Sequence, residues 1–273
     1  MRQRYCYWSV CDGPYAALME QCVASARRAG VCKEFHVLTD RPVEGCECYD
    51  AQTLDKADGL FKLVYLKAGI SKLLFDYFVW IDADSWFTRS PWDLLGCLGK
   101  APMHLTLATP VSALPQDQRV HEDGWTAEQY RERMMKAGVF NPVYLSVPSF
   151  WIVHHDVIDR VCDLAQHFGR TAKQEGFRYE FNAAISYAAQ MLCGDPAEHC
   201  WNRRPDLWAS DDAGYFKDRN PDGSAWPVKN AFTEEETLAN PAIIHLPHRK
   251  PQTIPVPTPA SESETVSATV PQA

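Results

Sequence analysis

The chain has 273 residues, of which 46% are hydrophobic and 23% are charged, and its net charge is −8 at pH 7. These proportions are typical of a globular domain and exclude a mainly disordered, collagen-like or coiled-coil chain. The acidic excess disfavours nucleic acid and anionic membranes as partners, so a negatively charged substrate would need locally placed Lys, Arg or a metal ion.

Strands and helices are predicted to alternate in the first part of the chain. Residues 15–29 carry apolar side chains at three- and four-residue steps, which is typical of a helix. Residues 77–81, YFVWI, form an apolar run without alternation, which predicts a central strand buried on both faces. The other predicted elements here are strands at residues 4–10, 35–38 and 46–49 and a helix at residues 56–74. This order predicts an α/β fold with a mostly parallel central sheet flanked by helices.

The second part of the chain has a less regular pattern. Residues 110–140 are polar with one helical portion, and we interpret them as an excursion over the rim of the sheet. Further strands are predicted at residues 103–108, 143–147, 150–153 and 242–245, and further helices at residues 155–168 and 178–192. Residues 252–273 are rich in Pro, Ser and Thr, which predicts a disordered tail. Residues 1–251 are therefore predicted to form a single domain.

The sequence predicts neither a secretion signal nor a membrane span. The first ten residues lack the apolar stretch of a signal peptide, and the longest apolar segment is about half the length that spans a bilayer. The ten cysteines follow no repeating interval, so we expect reduced and mostly buried thiols. Cys6, Cys11, Cys46 and Cys48 are an alternative zinc site, although the usual paired spacers are missing. We expect a cytoplasmic protein without a transmembrane anchor.

Two acidic residues directly follow the predicted central strand. Asp82 and Asp84 are alternate residues in YFVWIDADSWF, which places both side chains on one side of an extended segment. In an open α/β sheet, ligands bind just beyond the carboxyl ends of the strands. Two carboxylates repel each other there unless a cation joins them, and a hard divalent ion can do so while also holding a diphosphate. The alternative is a pair of turn or capping aspartates.

A histidine near the end of the sequence is a candidate third ligand. His245 ends the short apolar run in AIIHLPHRKP, so it too can reach a cleft where strands end, and His248 is the second candidate. Lys250 follows closely and could neutralise phosphate oxygens. The alternative for His245 is an ordinary core or surface histidine.

Four stretches of the sequence resemble a known family in their order and spacing. They are YCYWSVCDGPYAALMEQCVASARRAG, FHVLTD, FKLVYLKAGISKLLFDYFVWIDADSWF and IIHLPHRKP. They resemble glycosyltransferase family 8, which includes glycogenin and the lipopolysaccharide galactosyl- and glucosyltransferases and has the GT-A fold. The resemblance implies that Asp82 and Asp84 hold Mn²⁺ (or Mg²⁺) against the diphosphate of a nucleotide sugar and that His245 completes the metal site.

The same resemblance implies which residues bind the donor. Asp12 and Tyr15 match positions that contact the base and ribose, Lys62 matches a lysine near the nucleotide and sugar, and Lys250 matches a lysine at the diphosphate. The family ending is His, two residues, Gly, two residues, Lys-Pro. Here it is one residue shorter and has His248 in place of Gly, which leaves His248 as a rival ligand.

Catalytic groups are expected in the second half of the chain. Glu180 and Asn182, in YEFNAAISYAAQ, are candidates to orient the acceptor or to steady a cation-like sugar. The alternative for Glu180 is a solvated first-turn residue that is favourable to the helix dipole. Aromatic residues of this half could stack on sugars or simply pack in the core and loops. They are Trp125, Trp151, Trp201, Trp208, Tyr215 and Trp226.

The resemblance implies a metal-dependent glycosyltransferase that moves a hexose from a nucleotide sugar, expected to be a UDP-sugar, to a hydroxyl group with retention of configuration. The acceptor is expected to be a glycan, a lipid-linked glycan or a protein, and it could bring the enzyme to a membrane surface. One alternative is a phosphatase of the haloacid dehalogenase type, with Asp82 as nucleophile and Asp84 as general acid. Another is a non-catalytic module that binds nucleotide sugars.

Overall fold

The computed structural model describes residues 4–51, 59–91, 101–105, 108–120, 124–145, 149–177, 180–193, 208–210, 226–229, 236–239 and 242–245. The strands are β1 (Tyr5–Val10), β2 (Phe35–Thr39), β3 (Glu47–Asp50), β4 (Tyr77–Ile81), β5 (Ser85–Phe87), β6 (Met103–Leu105), β7 (Ala108–Pro110), β8 (Val143–Leu145), β9 (Phe150–His154), β10 (Trp208–Ser210), β11 (Trp226–Lys229), β12 (Glu236–Ala239) and β13 (Ile243–His245). The α-helices are α1 (Tyr15–Arg28), α2 (Phe61–Ala68), α3 (Ala127–Lys136), α4 (Ile158–Gln174) and α5 (Glu180–Cys193).

The main sheet has six strands in the order β3-β2-β1-β4-β9-β6. Strands β3, β2, β1 and β4 pair in parallel, whereas β9 pairs antiparallel with both of its neighbours. The prediction of a mostly parallel α/β sheet is therefore confirmed. The reversed direction of β9 was not predicted.

Both faces of the main sheet are covered, which explains the uninterrupted apolar run of β4. Tyr77, Val79 and Ile81 lie in a buried cluster with α1, whereas Phe78 and Trp80 face a second cluster with α2, α4 and α5. All five side chains of β4 are buried. A strand buried on both faces needs apolar side chains at every position rather than at alternate ones.

Helix α1 ends where the sequence places a glycine. Gly30 adopts a positive φ of 78°, and the next amide, of Val31, donates to the carbonyl of Ala26 at 2.9 Å. This arrangement satisfies carbonyls that would otherwise be unpaired at the helix end, and glycine adopts it without a steric penalty.

Helix α2 is shorter than the predicted helix at residues 56–74. It ends at Ala68, and a short 3₁₀ helix, Ile70–Lys72, follows Gly69. A side chain at position 69 would lie 3.0 Å from the Tyr65 ring and 3.2 Å from its carbonyl oxygen, so only glycine fits there easily. Residues 52–58 lie outside the described ranges.

A small sheet with the order β10-β13-β5 stands beside the carboxyl end of β4. Residues 82–84 join β4 to β5, and β13 pairs with β5 antiparallel. His245 is in register with Ser85. This pairing brings the end of the predicted domain back to the acidic turn.

Helix α3 packs on the helical layer. Its buried side chains, Tyr130 and Met134, lie in one cluster with Phe168 of α4 and Tyr187 of α5. The single-domain prediction stays a prediction, and the predicted tail at residues 252–273 lies outside the described residues. Across the described ranges, every helix is too short or too polar to cross a bilayer.

Candidate metal centre

The acidic turn after β4 is held by backbone hydrogen bonds on both sides. The amide of Asp82 donates to the carbonyl of Ser149 at 3.0 Å, and the amide of Ser85 donates to the carbonyl of Asp82 at 3.1 Å. The first bond ties the turn to the segment that enters β9, and the second closes the turn before β5. These two bonds fix the backbone of the acidic turn relative to the sheet.

His245 completes a cluster with the two aspartates. Its Nε2 lies 3.2 Å from Asp84 Oδ1 and 3.8 Å from Asp82 Oδ2. One ligand atom from each of the three residues lies within 4.8 Å of the others. The structure thus brings together the three side chains that were predicted as metal ligands, and their role as ligands stays a prediction.

The electrostatics of the cluster favour a cation. Burial raises the pKa of Asp82 and the nearby Asp84 carboxylate raises it further, whereas Lys62, His245 and the hydrogen bond from Trp80 oppose the increase. Two partly buried acids and an imidazole share this space. A divalent ion would relieve the repulsion between the two carboxylates.

Two residues that the sequence analysis did not select support the ligands. The Ser149 hydroxyl is fully buried and lies 3.3 Å from His245 Nδ1. Trp80 Nε1 donates a hydrogen bond of 2.9 Å to Asp82 Oδ1. Partners of this kind fix the orientation of a ligand and tune its basicity.

A lysine stands beside the acidic cluster. The ammonium group of Lys62, on the first turn of α2, lies 4.7 Å from the ring centre of Trp80 and 5.0 Å from that of Phe181. It is close enough to Asp82 to lower the pKa of that carboxyl group. A positive charge therefore accompanies the two acidic side chains.

The two predicted catalytic residues, Glu180 and Asn182, lie in the first turn of helix α5. Glu180 is buried, and its carboxyl group packs against Gly59, just before α2. Phe181 lies against Lys62, so the start of α5 faces the lysine side of the cluster. Asn182 is partly buried in the same turn.

The predicted nucleotide contacts lie where the loop after β1 leads into α1. Asp12 is partly buried and Tyr15 is 52% exposed. The amide of Gly13 donates to both carboxylate oxygens of Asp40, at 3.1 and 3.2 Å, which joins the loops after β1 and β2. Because β1, β2 and β4 run in parallel, these loops share the edge of the sheet that carries Asp82.

Several predicted site residues lie outside the described residues or are buried in the core. Lys250 and His248 lie outside the described residues, as do Trp201 and Tyr215 and the side chains of Trp208 and Trp226. Trp125 and Trp151 are core residues, with 6% and 0% exposure, so neither ring face is open to a sugar. For these two tryptophans the packing alternative is correct.

The alternative zinc site at the cysteines is not formed. Cys6 and Cys11 are buried and Cys48 is exposed, all as free thiols. In the part of the chain that the structure describes, Asp82, Asp84 and His245 are the one group of potential ligands that meets in this way.

The sequence matches no protein-family model and no curated protein. Its structure is similar to that of the galactosyltransferase LgtC in complex with donor and acceptor sugar analogues, with a TM-score of 0.50, 12% identity, and coverage of 88% of this chain and 86% of that chain. It is also similar to an active-site mutant of LgtC, with a TM-score of 0.52, 12% identity, and coverage of 89% and 87%. The protein therefore has the α/β fold of GT-A glycosyltransferases, as the resemblance to glycosyltransferase family 8 predicted.

Proposed function

We propose that this protein is a metal-dependent glycosyltransferase that moves a hexose from a UDP-sugar to a hydroxyl group of a glycan, a lipid-linked glycan or a protein. The observation that carries the proposal is the cluster of Asp82, Asp84 and His245 beyond the carboxyl end of β4. The fold and the resemblance to family 8 support it. Retention of the anomeric configuration is part of the proposal and is supported by the resemblance alone.

The ligand set fits Mn²⁺, or Mg²⁺ as the second choice. Carboxylate oxygens suit Mg²⁺ and Mn²⁺, and an imidazole nitrogen is better accepted by transition metals. With ligand atoms within 4.8 Å of one another, the three side chains can approach a common centre. When bound, such an ion supplies positive charge that stabilises the diphosphate leaving group.

The remaining charged and polar groups would bind the donor. The Lys62 ammonium, held over Trp80 and Phe181, would neutralise a diphosphate oxygen. Asp12, in the loop after β1, and Tyr15, the first residue of α1, would contact the base and ribose, and Lys250 would contact the diphosphate. Fixed charges of this kind stabilise negative charge as it develops on the leaving oxygen.

The start of α5 is the proposed acceptor side. Glu180 and Asn182 would orient the acceptor hydroxyl or stabilise the cation-like sugar. In the transfer, the bond from the anomeric carbon to the diphosphate oxygen breaks, the acceptor oxygen bonds to that carbon, and the hydroxyl proton is released. The contact of Glu180 with Gly59 supports a fixed position for this carboxyl group.

The test is a screen of UDP- and GDP-sugars with Mn²⁺ that measures the released nucleotide. Asp82→Asn and Asp84→Asn are each expected to lower turnover by about a hundredfold, because each removes a charge that binds the metal. The matched control is Asp156→Asn. Asp156 has a side chain that is 79% exposed and lies near the opposite end of β4, so this variant should retain full activity.

Three outcomes contradict the proposal. Full turnover by Asp82→Asn, or by protein treated with a chelator, would refute the metal site. Metal-dependent release of phosphate from a simple phosphoester, without nucleotide-sugar dependence, would favour the phosphatase. Nucleotide-sugar binding without turnover would favour a binding module.

A further inference from the structure

Three tryptophans stand side by side beneath the candidate metal centre. Trp8 of β1 is in register with Trp80 of β4, which is in register with Trp151 of β9. All three are fully buried. The ring centre of Trp80 lies 4.5 Å from that of Trp8 and 6.3 Å from that of Trp151. The ring centres of Trp8 and Trp151 lie 5.5 Å apart, so the three rings form a compact cluster on the helix-covered face of the sheet.

The three indole groups differ in their hydrogen bonds. Within the described ranges, the Nε1 atoms of Trp8 and Trp151 are buried without a hydrogen-bond partner. Trp80 Nε1 instead donates to Asp82 Oδ1 at 2.9 Å. A buried indole N–H pays a desolvation cost that only a partner offsets, so this bond holds both groups in place.

The bond also sets the orientation of the Asp82 carboxylate. With Oδ1 taken by the indole, Oδ2 is directed toward His245, whose Nε2 lies 3.8 Å away. The same ring carries the Lys62 ammonium on its face at 4.7 Å. One buried side chain thus contacts both a candidate metal ligand and the neighbouring cation.

From this geometry we infer that Trp80 is a positioning residue of the metal site, which fixes Asp82 so that Oδ2 is the oxygen offered to the ion. The inference rests on the proposed metal site. In this role Trp80 acts through Asp82 and is not itself a ligand. Its effect is to hold Asp82 in the orientation that binds, which preorganises the site before the donor arrives.

The experiment compares Trp80→Phe with Trp151→Phe in Mn²⁺ binding, measured by electron paramagnetic resonance of free Mn²⁺ without any nucleotide sugar. Both variants replace a fully buried indole of the same cluster by a smaller ring, but only the first removes a donor to Asp82. Trp80→Phe is expected to weaken Mn²⁺ binding by about tenfold or more. Trp151→Phe should bind Mn²⁺ as the wild type does.

Equal Mn²⁺ affinity of Trp80→Phe and wild type would overturn the inference, as would an equal loss in Trp151→Phe. Both results leave the proposed function intact, because the wild type still binds the ion. A wild type that binds no Mn²⁺ would refute the proposed metal site and the inference with it.

A measurement on the wild type covers the case in which Trp80→Phe does not fold. In a spectrum of the indole N–H groups, the Trp80 signal should lie apart from those of Trp8 and Trp151, and Asp82→Ala should move it toward them. Titration with Mg²⁺ should shift the Trp80 signal and leave the other two unchanged. Equal shifts, or none, would overturn the inference.

Discussion

Gly59 and Glu180 form a contact that leaves no space for a larger residue. A Cβ atom on Gly59 would overlap Glu180 Oε1. Glu180 is buried, so its carboxyl group has little freedom to move aside. The glycine therefore sets the position of a carboxyl group that we propose to act on the acceptor side.

Gly59→Ala is accordingly expected to displace Glu180 and to lower kcat by about tenfold to a hundredfold, since small displacements of a reacting group are costly. Steady-state kinetics of nucleotide release measure the effect, with Glu180→Gln as the comparison. The melting temperature serves as the control for a general loss of structure. Unchanged kcat in both variants would remove Glu180 from the proposed site.

At the scale of the elements, a buried histidine joins β2 to the edge strand β3 of the main sheet. His36 of β2 has its Nδ1 2.9 Å from the hydroxyl of Tyr49 on β3, and its Nε2 lies 3.2 Å from Glu34 Oε2. Burial lowers the pKa of His36, although the charges of Glu34 and Glu47 oppose this. The folded protein therefore favours the neutral imidazole.

The free energy of unfolding should consequently fall as the pH is lowered below about 6.5, the pKa of an unperturbed histidine. The unfolded chain binds the proton first, so stability that is present above this pH is lost on acidification. Urea unfolding at several pH values measures the slope. His36→Gln should flatten it, whereas the exposed control His167→Gln should not. An unchanged slope in His36→Gln would assign the pH dependence to other groups.

At the scale of the whole molecule, the candidate ligands come from residues 82–84 and from residue 245, and only the folded chain brings them together. An ion that binds the folded state alone stabilises it by about 2.7 kcal/mol at a hundred times its Kd. Mn²⁺ is therefore expected to raise the melting temperature. Asp84→Asn should abolish the increase and Asp156→Asn should retain it. An equal increase in Asp84→Asn would place the ion elsewhere.

The sequence predicts the local features well because they depend on neighbouring residues. The apolar run of β4, the glycine after α1 and the alternate positions of Asp82 and Asp84 are all readable in short segments. The same alternation places the side chains of Trp80 and Asp82 on one side of the extended segment. Their hydrogen bond, however, depends on the orientation of the indole ring, which the packing of the core determines.

Features that depend on distant partners could not be predicted. The antiparallel direction of β9 arises from its pairing with β4 and β6. Ser149 directly precedes β9. The antiparallel pairing of β9 with β4 brings Ser149 to the end of β4, where its hydroxyl meets His245.

The pairing of β13 with β5 has a consequence for biosynthesis. All six strands of the main sheet lie before residue 155 in the sequence and are therefore synthesised well before His245. Until β13 docks, a nascent chain carries two adjacent carboxylates without their imidazole. Under the proposed function, metal binding therefore follows the synthesis of β13, and a translation product that stops short of β13 would lack one of the three proposed ligands.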